Sequence, residues 1–451
     1  MKIGIEVHCQ LMTKSKIFCS CPTTGKDEPN TRVCDICCGL PGSKPVLNRN
    51  AFEMALKVAL SLDFKINKET FFSRKSYFYP DLAKNIQITQ YELPLAEKGV
   101  YHKIKLTRLH LEEDPGALIH KQGYSLVDYN RSGIPLIELV TEPDFKSSVE
   151  VRRFLNKLIT LLEYLEVFDR KSEASLKADL NISTNGPKVE IKNVTGMKEI
   201  EKALNYEFSR QNKEKVIKQE TRGWDADKGI TILQRVKESE DDYGYISETD
   251  LPMFEISKNM IDEIKKEIPE LADEKITRFI KKYKLKEEDA AVLASNRRLA
   301  NLYEDVVKKV NPSLTAKFFR RDLLKQLYYH KKTIEDIKFD SKELIELLSL
   351  LSNNKITAKT ATEVMIALIS KKISPNKYIK SKNLFIKSGS GELEKLCVEA
   401  IGEHKKAVED YKNGENNALN FVVGQIMRKT KGTADASKVR KILEKLIKKE
   451  S

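Results

Sequence analysis

The sequence has no stretch of about 18 uninterrupted apolar residues, so no transmembrane helix is expected. Its first residues, MKIGIEVHCQLMTK, lack the apolar h-region of a secretory signal. A soluble cytoplasmic protein is therefore expected, with no membrane partner. No G-x-x-x-x-G-K-[ST] loop, HExxH motif or G-x-S-x-G elbow occurs. Gly389-Ser390-Gly391 lacks the third glycine of a dinucleotide fingerprint. Any use of ATP needs a different kind of site. Cysteine is scarce outside one short stretch: six of seven lie between Cys9 and Cys38, the exception being Cys397. Such clustering reads as metal binding rather than a disulfide framework.

The chain has 451 residues, 40% apolar and 32% charged. Two to four domains are expected, at roughly 100–200 residues each. Residues 255–451 hold 42 Lys/Arg against 29 Asp/Glu, nearly all of the net +14. A near-neutral front and a basic back point to a polyanion at the back, or else to solvated Lys-rich helix faces.

Residues 1–254 read as strands and loops with a few helices. Ile3-Ile5-Val7, Leu176-Ala178-Leu180-Ile182 and Val189-Ile191 each alternate as a strand with one buried face. A helix is expected near 148–168, with Leu155, Leu158, Ile159, Leu162 and Leu165 on one stripe and Ser147 or Ser148 as cap. From Ile256 onward the pattern is nearly all helical. Ser388-Gly389-Ser390-Gly391 reads as a joint. The last helix carries Val439, Ile442, Leu443, Leu446 and Ile447 on one face. The expected class is α+β, with domains at 1–254, 255–385 and 386–451.

Cys19-x-Cys21 followed by Cys34-x-x-Cys37 can place four thiolates around Zn²⁺ as a closed, structural site at 19–37. Cys38 can replace Cys37, and Cys9 is left over. In the first strand, Glu6 and His8 share the face opposite the apolar residues, about 6.5–7 Å apart at the backbone. Glu112, Glu113 and Asp114 repel one another unless a cation intervenes. If that run is extended, Glu112 and Glu113 face opposite ways. Lys177, Asp179 and Asn181 share one polar face, as do Glu190 and Lys192. Such strands line an open cleft only if they share one sheet; otherwise each is a solvent-facing surface. Oxygen-rich ligands with one His suit Mg²⁺ or Mn²⁺. Arg74–Asp81 interleaves basic and aromatic residues, as a phosphate grip or as an ordinary turn.

IGIEVHCQL at 3–11, RKSYFYPDLAKNIQITQ at 74–90, RLHLEEDPG at 108–116 and SLVDYNRSGIPLIELVTEPD at 125–144 resemble the GatB/GatE family, the B-type subunits of the tRNA-dependent amidotransferases. LKADLNIS at 176–183, VEIKNV at 189–194, QETRGWD at 219–225 and ILQRVKESEDDYGY at 232–245 extend the resemblance. VEDYKNG at 408–414 and FVVGQIMRKTKG at 421–432 resemble the family's tRNA-binding tail. No inserted synthetase-like domain is evident, which separates the chain from the related archaeal GatE branch.

The resemblance implies an antiparallel-sheet cradle like the glutamine synthetase fold, a helical domain and a tRNA-binding helical tail. It implies a ligase that uses ATP and Mg²⁺ to phosphorylate the side-chain carboxylate of misacylated Glu-tRNA(Gln) or Asp-tRNA(Asn). Ammonia from glutamine would come from an amidase subunit, and a small third subunit would complete the complex. By resemblance, Glu6, His8 and Glu113 help hold Mg²⁺, with Glu138 and Asp179 close by. Glu112 or Glu190 can substitute for one of them. Glu6, His8, Glu113 and Asp179 would be the catalytic set. Lys75, Tyr79 and Lys192 look like nucleotide contacts. Cys19, Cys21, Cys34 and Cys37 match the zinc knuckle of part of the family. The competing readings are a tRNA-binding scaffold with an inactive front domain, and a free-standing ammonia-dependent ligase.

Overall fold

The computed structural model describes residues 1–25, 28–170, 176–214, 216–236, 244–386, 390–430 and 434–449. The expected joint at Ser388–Gly391 begins outside these residues, as does part of the motif at 232–245. The chain divides into two units, Met1–Leu271 and Ala272–Ser451. Among the described residues the first is built on a 12-stranded sheet and the second on helices, an α+β architecture. Among the described residues, no helix is long and apolar enough to cross a membrane.

Ten strands carry the argument: β1 (Lys2–Gln10), β2 (Ser73–Ser76), β3 (Ile86–Thr89), β4 (Ile104–Glu113), β5 (Pro135–Thr141), β6 (Lys177–Ser183), β7 (Val189–Thr195), β8 (Glu220–Asp225), β9 (Ile230–Val236) and β10 (Gly244–Ser247). Their order across the sheet is β9-β8-β7-β6-β1-β5-β4-β3-β2-β10. The pairs are antiparallel except β7–β8, which is parallel, so the sheet is mixed rather than purely antiparallel. The reason lies in the connection. Parallel neighbours need a crossover, and the helix Met197–Lys213 lies between β7 and β8 in the chain.

Period-two alternation decides which side chains enter the core. On β1, Ile3, Ile5, Val7 and Cys9 are buried, while Glu6, His8 and Gln10 are half-buried on the opposite face. Leu176, Ala178, Leu180 and Ile182, with Val189 and Ile191, continue the apolar face as their alternation predicts. Helices Arg49–Ser61 and Ser148–Tyr164, with Met197–Lys213, contribute to this core. The Ser147 hydroxyl caps the second by accepting from the Glu150 amide. That helix stops at Tyr164, short of the expected 168, although Leu165 remains buried.

The first unit runs to Leu271 rather than ending at 254. Ile256 and Ile264 are part of its core, and Phe254, Met260, Ile261, Ile268 and Leu271 pack against it. Helical texture begins before the core changes. Among the described residues the second unit contains two hydrophobic clusters. One spans Phe279 to Leu384 and the other Leu393 to Ile447. In the last helix, Val439, Leu443 and Ile447 are buried, with Ile442 and Leu446 packed beside them.

Candidate active site

The sheet's polar face brings distant parts of the chain together by register. Glu6 pairs with Asp179 on β6, and His8 pairs with Lys177 on β6 and Glu138 on β5. Glu138 in turn pairs with His110 on β4, and Asn181 with Glu190 on β7. Two ligand groups result: His8, Glu112 and Glu138, and Glu6, Asp179 and Glu190. Within each group, one ligand atom from every residue lies within 4.8 Å of the others.

In the first group, His8 Nε2 is 3.3 Å from Glu138 and 3.7 Å from Glu112. His110 Nε2 stands 3.6 Å from Glu138, and the Arg108 guanidinium 3.9 Å from it. Burial acts to depress His8, but the hydrogen bond and charge of Glu138, then Glu112 and Asp179, raise it to about 10. Burial, reinforced by the charge of Glu138, pushes Glu112 up to about 7. Burial lowers His110 to about 4 despite the Glu138 charge. Against its own burial, Glu138 is held well below the usual carboxylate range by His110, His8 and Arg108.

In the second group, Lys192 Nζ lies 2.8 Å from Glu190 and 3.5 Å from Asp179. Asn181 donates to Glu6 at 3.0 Å, and the Asn193 amide donates to Asp179 at 2.6 Å. Asn193 takes a left-handed φ of 56°, beside the register shift between β6 and β7. Burial raises Glu6, and the charges of Glu138, Asp179 and Glu190 raise it further. Burial opposes the charge of Lys192, but Asp179 and Glu190 raise it above its ordinary range.

This donor set fits divalent cations of the oxygen-preferring kind. Each group offers carboxylates from several strands, and one adds an imidazole. Asn181 Oδ1 and His110 Nδ1 are buried without a hydrogen-bond partner. Crowded carboxylates whose protonation is driven up by one another are the arrangement a cation relieves.

Glu113, expected among the Mg²⁺ ligands, lies elsewhere. Alternation turns it away from Glu112. Its carboxylate takes Lys84 Nζ at 2.6 Å and the Ile88 amide at 2.8 Å. Glu112 and Glu190 occupy the places expected of Glu113 or left as substitutes. Lys75 lies on β2 opposite Tyr245, with its ammonium 5.6 Å above the Tyr77 ring. Tyr79 is exposed in the loop after β2, joined to neither group by a hydrogen bond or ring contact among the described residues. His110 and Arg108 escaped the sequence reading as site residues. Their signal was the alternation Arg108-x-His110-x-Glu112, which puts all three on one face of the strand.

The four cysteines Cys19, Cys21, Cys34 and Cys37 converge as a cluster compatible with a structural metal. Cys37, not Cys38, is its fourth member. Lys16, fully buried, was not anticipated. Its ammonium bonds the Arg32 carbonyl at 2.8 Å and lies 3.6 Å from Cys37 Sγ. The Cys37 thiol is lowered to about 4, chiefly by Cys19, with the Cys34 amide and Lys16 assisting against burial.

A family model described as the GatB/GatE catalytic domain matches residues 1–262, and one described as the GatB domain matches 301–447. The chain belongs to the GatB family of amidotransferase subunits. It is 43% identical to the B-type subunit of the aspartyl/glutamyl-tRNA(Asn/Gln) amidotransferase of Haloquadratum walsbyi, over 98% of this chain and 96% of that protein. The like-named proteins of Methanospirillum hungatei and Thermotoga petrophila are 43% and 40% identical, each over 99% of this chain and 98% of the relative. Both polar-face groups lie within the part matched as catalytic domain.

Proposed function

We propose that the chain is the activating subunit of a tRNA-dependent amidotransferase. It uses ATP to phosphorylate the side-chain carboxylate of Glu or Asp misacylated onto tRNA, and it directs ammonia onto the activated carbonyl. An amidase subunit releases that ammonia from glutamine, and a small third subunit completes the assembly. Residues 386–451 hold the tRNA, and the helices whose core spans Phe279 to Leu384 form a separate domain. The observation that carries this reading is the convergence of two carboxylate-rich groups on one sheet face within a chain of this family. The cradle's likeness to glutamine synthetase belongs to the same reading, since both chemistries activate a side-chain carboxylate.

A carboxylate is a poor acyl donor because its leaving group would be oxide. In the first step its oxygen attacks the γ-phosphorus of ATP and ADP departs. In the second, ammonia attacks the acyl carbon and phosphate departs with the electron pair, leaving the amide. Bound Mg²⁺ supplies charge neutralisation for the triphosphate and the developing phosphoryl charge. Glu6, Asp179 and Glu190 would hold one ion and His8, Glu112 and Glu138 the other. Lys192 and Lys75 bring positive charge toward the phosphates. Arg108 and His110 hold Glu138 in place. Zinc would occupy Cys19, Cys21, Cys34 and Cys37 in a structural role, because four thiolates leave no open position.

The test is ATP hydrolysis by the chain with its amidase partner, Mg²⁺ and either deacylated or misacylated tRNA. Stimulation only by Glu-tRNA or Asp-tRNA is expected, with loss of that activity in Glu6→Ala and His8→Ala. No stimulation while tRNA still binds would favour the scaffold reading. Turnover of a free small acid without tRNA would favour the free-standing ligase.

A further inference from the structure

The polar face continues past the two ligand groups. Lys177 stands directly across from His8 and two residues from Asp179 on the same face of β6. Adjacent strands are about 4.8 Å apart, so Lys177 borders the first group. The other cations on this part of the face are engaged: Lys192 with Asp179 and Glu190, Arg108 with Glu138, Arg131 with Asp114. Among the described residues, Lys177 has no carboxylate within salt-bridge distance, although it is half-buried. Asp81 is its counterpart. It too lacks an ion pair, and its Oδ1 is buried with no hydrogen-bond partner. The Asp81 carbonyl accepts from the Gly116 amide at 2.8 Å, which sets Asp81 just past the end of β4 beside Asp114, and the charges of Lys177 and Asp81 act on one another without forming a pair.

A half-buried ammonium and a partly buried carboxylate, held apart beside a catalytic cleft, each lack the compensation that burial demands. Their complement is a ligand carrying one negative and one positive charge. A triphosphate does not match, because it carries no positive charge for Asp81. An α-aminoacyl ester does match: its carboxyl is esterified, its α-ammonium is free and its side chain ends in a carboxylate. We propose that Lys177 and Asp81 form the amino-acid subsite, Lys177 taking the side-chain carboxylate to be activated and Asp81 the α-ammonium. This rests on the amidotransferase reading. It adds how an acidic aminoacyl group is held and why a free amine matters.

The experiment uses the complete complex with misacylated tRNA and the same tRNA N-acetylated on the amino acid. Wild-type complex is expected to favour the free amine by about tenfold in kcat/KM of tRNA-dependent ATP hydrolysis, the loss of roughly one charged contact. Asp81→Asn should raise the KM for the free-amine substrate and leave that for the acetylated one unchanged, so the discrimination disappears. Lys177→Met should raise the KM for both tRNA substrates with the KM for ATP unaltered, and Lys177→Arg should recover part of it. An unaltered KM for ATP also reports that each variant is folded. Active wild-type complex with discrimination intact in Asp81→Asn, or a Lys177→Met effect on ATP alone, overturns the subsite and leaves the amidotransferase reading standing. Wild-type complex without tRNA-dependent hydrolysis overturns both.

Discussion

Adjacent glutamates at the end of β4 have different work to do because a strand turns successive side chains to opposite faces. Glu112 joins the ligand group, whereas Glu113 binds Lys84 and the Ile88 amide. Glu113→Gln should therefore act on stability, leaving the nearly buried Lys84 ammonium uncompensated. Breaking such a buried pair costs about 3–5 kcal/mol, which denaturant unfolding would measure. Glu112→Gln should behave oppositely, raising the Mg²⁺ concentration for half-maximal ATP hydrolysis while changing stability little. A Glu113 variant of normal stability would contradict the assignment. The sequence already held Glu6 and His8 as one face and Glu112 and Glu113 as two. It held no means of deciding which glutamate looked toward His8, because that depends on how β4 pairs with β5 and β5 with β1.

At the scale of elements, the cysteine spacing was legible because its ligands are local in sequence. Zinc analysis of the purified chain should find one ion, lost in Cys34→Ser or after chelation. Gly39, with φ of 67°, ends the short helix Asp35–Cys38 against the Lys84 side chain. Metal removal should therefore also loosen the Lys84–Glu113 contact, read as faster hydrogen exchange at the Ile88 amide. In the helical unit, Glu304 lies 2.6 Å from both Lys275 and Arg278. Burial acts to raise its carboxyl, but bonds from Arg278 and Lys275 hold it below its ordinary 4.5. A depressed value means stability that is present above 4.5 and lost as pH falls through the folded-state value. Glu304→Gln should lower stability by about 1 kcal/mol at pH 7, since the pair is partly solvated. The difference from the parent should vanish in acid, which denaturation at successive pH values would follow.

Across the whole molecule, the basic back half carries the remaining prediction. Removing residues 390–451 deletes the cluster spanning Leu393 to Ile447 and leaves that spanning Phe279 to Leu384. tRNA binding should weaken, and its dependence on salt should become shallower, because fewer phosphates are neutralised. An unchanged salt slope would place the tRNA contacts elsewhere. By itself the sequence determined the α+β order, the alternation of β1, β6 and β7, the apolar stripe of the last helix and the cysteine quartet. These depend on period, spacing and residue chemistry within a few turns of chain. The tertiary structure decided the parallel pair in the sheet, the first unit's end at Leu271, and the choice of Glu112 and Glu190 as ligand-group members. It also left Lys177 without a salt bridge among the described residues, although acidic groups stand near it. Those outcomes depend on which strands become neighbours and in which register, and pairing across more than a hundred residues is not written in any local pattern.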